Sequence, residues 1–390
     1  MNVSFHARLA SLILLIGSTS ACLNPYVRFG KQENYRQQQV SPEMARRMIE
    51  KEKAEEQKLV EMYKSREFDL DTEIGKVTSH VFEELNKENF ALLEQEAGKA
   101  RKEKQRVVGG FWKIRTIYEG LSEPVNKTDE EWKKHFARLN RWKEKFPESI
   151  TPRIALAESW VGYAWTARGN GYSYTISEES GRLYDERLMN AVKELIEAKK
   201  LNERCPHWYA VMLLIARAQG WDYDEFEAVY REAVKFEPHY YYYALRKGTY
   251  LLPRWHGEPG DWEDFVEQAA RETGGTEGAI LYYLIASDYI TDYADMTFDS
   301  TKLSVEKAKQ GYYTLKKTYG ADKRRLNEFA KFACRTNDLA AANEAFEEIG
   351  DNWVQEIWHS KQAFLKYKNI AANAKNQNQP PQHQPQAKRF

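Results

Sequence analysis

Five residues in one short segment could bind a ligand or carry out acid–base chemistry: Trp255, His256, Glu258, Asp261 and Trp262. Tryptophan faces suit sugar rings and apolar side chains, and a carboxylate accepts hydrogen bonds from hydroxyl or amide groups. The pattern predicts a groove for a glycan or a peptide. The alternative is structural: both Trp rings pin the segment onto the fold, and Asp261 only caps the helix that follows.

A second candidate set comprises Glu158, Trp165 and Arg168. Seven positions separate Glu158 from Trp165, so the two side chains share one face of a helix. Arg168 falls at the expected helix end, where it can bond free carbonyl groups. A structural interpretation competes here too, with Trp165 in the core and Arg168 closing the helix.

The segment that contains the first set belongs to an imperfect repeat. Pro206-His207-Trp208-Tyr209 returns as Pro238-His239-Tyr240-Tyr241, 32 positions later, and Asp224-Glu225-Phe226 returns as Glu263-Asp264-Phe265, 39 positions later. The second copy is therefore seven residues longer, and the surplus falls at 255–262. A period of roughly 32–34 residues is typical of stacked helix pairs, in which an insertion commonly forms a binding loop.

Several kinds of site are not expected. The chain has no His-Glu-Xaa-Xaa-His, no Gly-Xaa-Ser-Xaa-Gly, no phosphate loop and no dinucleotide fingerprint, so we assign no catalytic residue and no cofactor. The repeat-equivalent His207 and His239 would lie a helix pair apart, about 10 Å or more. One zinc ion holds its ligands at about 2 Å, so we expect no metal site. Glu258 and Asp261 remain available for hydrolysis by paired carboxylates.

Hydrophobic spacing indicates helices throughout a compact region, 71–370. Thr128 and Glu131 have the spacing of a capping box, and Thr151-Pro152 begins another helix. Gly109-Gly110 interrupts the helical pattern, and no alternating run predicts a strand of convincing length. We therefore predict an all-α fold, an irregular stack of antiparallel helix pairs (an α-solenoid). The helices expected in its second half are 180–201, 206–220, 222–236, 238–252, 261–273, 278–289, 303–319, 323–335, 338–349 and 353–370.

The helix pairs resemble tetratricopeptide repeats, most closely at 326–350, where Asn337-Asp338 forms the turn and Ala342 and Phe346 follow. A wider set of motifs resembles a bacterial family of uncharacterised exported proteins with a tetratricopeptide-like helical repeat domain, over roughly 77–367. The resemblance implies such a fold and a binding role, and it implies no reaction. The motifs are Ala164-Trp165-Thr166-Ala167-Arg168-Gly169, Cys205-Pro206-His207-Trp208-Tyr209, Gln219-Gly220-Trp221-Asp222, Leu251-Leu252-Pro253-Arg254-Trp255 and Gly257-Glu258-Pro259-Gly260-Asp261-Trp262.

The first 22 residues have the features of a signal peptide. The apolar run 9–17 is too short to span a bilayer, and small residues follow it. Ser20-Ala21-Cys22 resembles the end of a bacterial lipoprotein box, which predicts lipidation at Cys22; ordinary cleavage after Ala21 is the alternative. Residues 23–70 read as a tether and an exposed charged helix, and 371–390 as a disordered polar tail.

Composition narrows the function further. Lys+Arg and Asp+Glu both number 58, and the absence of a basic excess argues against a nucleic-acid partner. Cys205 and Cys334 either bridge or are two separate thiols. The sequence thus predicts an exported cell-envelope protein, periplasmic or anchored at the outer membrane, that binds a protein or peptide. It meets the membrane only through an acylated Cys22. The alternative is an envelope glycan binder or hydrolase that uses 255–262.

Overall fold

The structure, a computed structural model, describes residues 69–169, 176–253, 255–292 and 301–377. The expected signal peptide with Cys22, nearly all of the tether and most of the polar tail lie outside these residues. The described residues contain sixteen helices and one two-stranded hairpin, so the all-α prediction is confirmed.

The first eight helices are α1 (Glu73–Asn86), α2 (Phe90–Lys102), α3 (Lys113–Leu121), α4 (Asp129–Lys145), α5 (Thr151–Arg168), α6 (Glu178–Lys200), α7 (Pro206–Ala218) and α8 (Tyr223–Phe236). The others are α9 (Tyr242–Tyr250), α10 (Asp261–Thr273), α11 (Gly275–Asp292), α12 (Val305–Tyr319), α13 (Lys323–Arg335), α14 (Leu339–Ile349), α15 (Gln355–Trp358) and α16 (Lys361–Gln377). The strands β1 (Arg106–Val107) and β2 (Phe111–Trp112) pair antiparallel between α2 and α3.

Local sequence sets many helix starts. The Thr128 hydroxyl accepts a hydrogen bond from the Glu131 amide at 3.3 Å, as the capping-box spacing predicts. Asp222 caps α8 in the same way, through the Glu225 amide at 2.9 Å. A capping side chain satisfies an amide that the first helical turn leaves free, and its loss typically costs about 1 kcal/mol.

Alternate helices form an inner layer. Helices α3, α5, α7, α9, α11 and α13 contact one another in that order, and α6, α8, α10, α12 and α14 pack against the inner helices that they adjoin in the chain. This arrangement is the expected stack of helix pairs. The repeat itself stays a prediction, because α7 begins at Pro206 whereas α9 begins only at Tyr242, four residues after Pro238.

The hairpin joins the early part of the chain to the late part. Its turn needs Gly109, which has a φ of +83°. The Gly109 carbonyl accepts a hydrogen bond from Nε of Arg325 on α13 at 3.0 Å. On β2, the Trp112 indole donates to the His239 carbonyl at 2.9 Å, just before α9. The predicted break at Gly109-Gly110 is therefore a β-turn whose two-residue strands are too short to show alternation.

The end of the chain differs from expectation. The predicted helix 353–370 is two helices, because His359 adopts a left-handed conformation with a φ of +61° and ends α15. Helix α16 then continues to Gln377, into the segment expected to be a polar tail. Cys205 and Cys334 are separate free thiols, and burial raises the pKa of Cys334 to about 12.

Candidate functional site

The inserted segment 255–262 is held against the stack by its aromatic residues. The Trp262 ring is 3% exposed, and its centroid lies 4.0 Å from that of Tyr289. The His256 ring stacks on Tyr250 at 4.6 Å, and its Nε2 lies 3.2 Å from the Arg217 carbonyl oxygen. A carbonyl only accepts, so Nε2 carries the proton. Burial lowers the pKa of His256, which favours this neutral form.

The remaining candidates in the segment contact the fold or each other. Trp255 is half-buried beneath the Arg217 guanidinium, 4.6 Å from its ring centroid. Glu258 and Asp261 are exposed, and the Asp261 carboxylate accepts a hydrogen bond from the Glu258 amide at 2.8 Å. The predicted helix cap at Asp261 is wrong. Asp261 is the first residue of α10, its carboxylate bonds to the preceding loop, and Gly260 (φ +104°) occupies the cap position.

Two residues of the second predicted set line a cavity. Glu158 and Trp165 both line a cavity beside α5, as their shared helix face predicts. The Trp165 ring also packs edge-on against Tyr184 at 5.3 Å. Arg168 lies 5.1 Å from the Trp165 ring and donates to the Gly169 carbonyl at 3.3 Å. Arg168 is therefore at the helix end, as expected, and does not line the cavity.

The inner helices supply most of the lining of this cavity, which we call the inner cavity. It has two adjoining parts of about 340 and 350 Å³ that share Arg115 and Glu119. Neither part is lined by residues 255–262. The basic residues of the lining are Arg115, Lys127, Arg246, Arg324, Arg325 and Lys331. The acidic residues are Glu119, Glu123, Glu158, Asp288, Glu328 and Glu356.

Behind Glu158 lies a buried hydrogen-bond relay. His207 Nε2 lies 2.9 Å from the Glu158 carboxylate, and Nδ1 lies 2.9 Å from the Tyr240 hydroxyl. Since a carboxylate only accepts, Nε2 donates to Glu158, and the Tyr240 hydroxyl donates to Nδ1. The Tyr118 ring stacks on His207 at 4.5 Å. Both His207 and Tyr240 are 1% exposed, so the relay fixes the position of Glu158 from behind.

The charges of this relay follow from its surroundings. Burial lowers the pKa of His207, so the imidazole is a neutral donor at pH 7. Burial opposes ionisation of Glu158, but the charge of Arg115 and the hydrogen bond from His207 hold its pKa below the usual range. With His207 neutral, Arg115 is the permanent countercharge, and its Nη1 lies 3.9 Å from the Glu158 carboxylate. Glu158 therefore presents an oriented, ionised carboxylate to the inner cavity.

Another carboxylate of the lining is also ionised. Burial disfavours the charged form of Glu328, but Arg325 and Arg324 lower the pKa of this carboxyl. The contacts are 2.6 Å from Arg325 Nη1 and 3.0 Å from Arg324 Nε. These two arginines therefore have a carboxylate partner in hydrogen-bond contact, in contrast to Arg115.

Sequence reasoning missed Arg115, Arg246 and the His207–Tyr240 pairing. Tyr240 and Tyr243 are buried, while Tyr242 between them is half-buried and lines the inner cavity. Arg115 and Glu119 are four apart on α3, which is a local signal for a shared face. Arg246 lies 131 positions later in the chain, and no local pattern joins it to Arg115.

Neither the described residues nor comparison with known proteins assigns a membrane helix, a metal site or a family to this chain. No helix in the described ranges is both long enough and apolar enough to cross a membrane. Across the same ranges, no group of three or more His, Cys, Asp or Glu side chains is placed to hold a metal ion. No family model matches the chain, and neither a curated protein nor a solved structure matches it.

Proposed function

We propose that this protein is a binding module that takes a short polar segment of a peptide or protein partner into the inner cavity. The observation that carries the proposal is the lining, which combines an oriented carboxylate, Glu158, with guanidinium groups and tyrosine rings from helices spread along the chain. A peptide offers amide donors, carbonyl acceptors and charged groups, which need partners of both kinds when they leave water. Each part of the cavity lies in the size range of small-ligand sites, about 300–1,000 Å³.

Two acids of the lining, Glu158 and Glu328, favour binding over hydrolysis. A glycosidase needs one carboxylic acid that stays protonated near pH 7, which requires a raised pKa. Interactions within the fold lower the pKa of both Glu158 and Glu328 instead. The alternative at 255–262 has less support, because the Trp262 ring is covered by Tyr289 and offers no open face to a sugar.

We place this binding activity in the bacterial cell envelope, with the chain exported and anchored through an acylated Cys22. The support is the apolar run 9–17 and the Ser20-Ala21-Cys22 sequence that follows it. Charge parity between Lys+Arg and Asp+Glu supports a peptide or protein over a nucleic acid as the partner.

The test is selection of peptides followed by obstruction of the cavity. Thr249 on α9 lines the inner cavity, and its hydroxyl donates to the Leu245 carbonyl four residues earlier at 3.0 Å. Thr318 on α12 makes the equivalent bond to the Thr314 carbonyl at 2.8 Å and is exposed. Thr249→Tyr adds an aromatic ring to the cavity lining and obstructs it, and Thr318→Tyr is the matched control outside the cavity.

A random dodecapeptide phage library would be panned against the full chain, and the affinity of selected peptides measured by fluorescence anisotropy. We expect Thr249→Tyr to weaken binding at least tenfold and Thr318→Tyr to leave it unchanged. Failure to enrich any peptide would count against the proposal. Equal affinity for the wild-type and Thr249→Tyr proteins would show that peptides bind elsewhere.

A further inference from the structure

Two arginines of the inner cavity have unused hydrogen-bond donors. Arg115 on α3 and Arg246 on α9 both line the part of the inner cavity of about 340 Å³. Neither side chain donates a hydrogen bond to another described residue. Specifically, Nη1 of Arg115 and Nε of Arg246 are buried without an acceptor in the part of the chain that the structure describes. Arg325, in the same cavity, donates to the Gly109 carbonyl and to Glu328. Unsatisfied donors are thus a property of this pair and not of the whole lining.

Leaving these donors unpaired has a cost. A guanidinium carries five N–H donors and stays charged, so it cannot escape burial by losing its proton. A buried donor without an acceptor destabilises the folded protein, and more so when the group is charged. Burial and the positive charge of Arg115 lower the pKa of Arg246, which shows that the two cations act on each other.

Neighbouring carboxylates balance the positive charges of Arg115 and Arg246 but do not accept hydrogen bonds from their free N–H donors. Nη1 of Arg115 lies 3.8 Å from the Glu119 carboxylate and 3.9 Å from that of Glu158, both beyond hydrogen-bond distance. Glu158 is directed instead by the bond from His207. Asp288 and Glu158 favour the charged form of Arg246, so electrostatics keep this cation charged at pH 7. The acids therefore stabilise two guanidinium groups whose N–H bonds remain available.

We propose that Arg115 and Arg246 together bind an oxyanion, a carboxylate or phosphate group, of a ligand that enters the inner cavity. An oxyanion has two or more acceptor oxygens, so it can accept from both guanidinium groups and reduce their mutual repulsion. A neutral carbonyl supplies an acceptor but no countercharge. This inference rests on the proposed function and names the chemical group that the cavity recognises.

The experiment uses inorganic phosphate and acetate as separate probes, titrated calorimetrically into the full chain. Arg246→Gln and Arg115→Gln remove one guanidinium each and keep most of the side-chain volume. Arg271→Gln is the matched control, because Arg271 is exposed on α10 and lies outside the cavity lining. Circular dichroism establishes that each variant is folded.

We expect saturable binding of at least one probe to the wild-type protein, weakened at least tenfold in Arg246→Gln and unchanged in Arg271→Gln. Preference for phosphate assigns a phosphorylated ligand, and preference for acetate assigns a carboxylate. Absence of saturable binding, or equal binding to wild-type and Arg246→Gln proteins, overturns the oxyanion site. If Arg115→Gln does not fold, the Arg246→Gln comparison alone decides.

The two proposals fail in different ways. Oxyanion binding that depends on Arg246, together with no enriched peptide, would retain the oxyanion site and reject the peptide-binding function. A selected peptide could instead fail to bind the Thr249→Tyr protein and bind the Arg246→Gln protein with wild-type affinity. That result would retain the peptide-binding function and reject the oxyanion site.

Discussion

At the residue scale, His207 determines how the inner cavity presents Glu158. The imidazole is 1% exposed and has a partner on each ring nitrogen, so it has no room to rotate. Burial lowers the pKa of His207 although Glu158 lies beside it. The folded protein therefore keeps His207 neutral at pH values where an exposed His is protonated.

This burial predicts a dependence of stability on pH. The unfolded chain takes up a proton on His207 near the ordinary pKa of about 6.5, whereas the folded chain takes it up only at lower pH. Between these values the unfolded state binds more protons, so the free energy of unfolding falls as pH falls, by at most about 1.4 kcal/mol per pH unit for each such His. We expect urea denaturation at pH 7 and pH 5 to show this loss, and His207→Gln to show less of it.

The control for this prediction retains the histidine. Tyr240→Phe removes the hydroxyl that donates to His207, and should cost about 1–3 kcal/mol at pH 7 while retaining the pH slope. His256 also has a pKa lowered by burial and contributes in the same direction, so His207→Gln should reduce the slope without abolishing it. An unchanged slope in His207→Gln would contradict the prediction.

What the sequence revealed about the site depended on distance along the chain. The helical period placed Glu158 and Trp165 on one face, and both line the inner cavity. The partners of Glu158 are Arg115, 43 positions earlier, and His207, 49 positions later. Packing of separate helices brings these residues together, and residue spacing within one helix cannot predict such a contact. The aromatic and acidic residues of 255–262 are close in sequence, but they do not line the inner cavity.

At the element scale, strong periodic helices were predicted well and their interruptions less so. The expected bounds 261–273 and 323–335 match α10 and α13 at both ends. The expected start at Pro238 was four residues early, because Pro238 and His239 form a turn before α9. The hairpin and the break at His359 depend on left-handed backbone angles at single residues, which hydrophobic periodicity does not report.

The insertion 255–262 is predicted to stabilise the fold. Trp262 packs on Tyr289 in the core. Its Nε1 would lie 3.4 Å from a Cβ atom added at Gly248, so the indole also packs closely against α9. We expect Trp262→Ala to lower the free energy of unfolding by about 3–5 kcal/mol, as truncation of a buried aromatic side chain does. Glu258→Gln, on an exposed position of the same segment, should change it by about 0.5 kcal/mol or less. Chemical denaturation compares the two variants.

Unchanged stability of Trp262→Ala would instead favour ligand binding by the segment 255–262. If Trp262→Ala were as stable as Glu258→Gln, the ring would not be a core residue, and ligand contact would become the better account of the two tryptophans. The oxyanion and peptide proposals would be unaffected, because residues 255–262 do not line the inner cavity.

At the scale of the whole molecule, contacts between distant parts of the chain close the stack. In a simple helical solenoid each pair contacts only its neighbours, so ends can unfold while the middle stays folded. Here the hairpin before α3 bonds to α13 through Arg325 and to the residues before α9 through Trp112. Lys323 also pairs with Asp69 at 3.1 Å. These links predict that the early and late helices unfold as one cooperative unit.

Arg325 and Arg324 allow this coupling to be tested with matched substitutions. Both bind Glu328, but only Arg325 also donates to the Gly109 carbonyl of the hairpin and packs on the Phe111 ring, 3.7 Å from its centroid. We expect Arg325→Ala to speed amide hydrogen exchange at 106–112 together with α13, by roughly 10- to 100-fold, because a lost charged hydrogen bond of about 1.5–3 kcal/mol favours opening by that factor. Arg324→Ala should affect α13 and leave 106–112 protected. Equal exchange at the hairpin in both variants would mean that the link through Arg325 does not hold the two parts together, and that the stack opens from its ends like an ordinary solenoid.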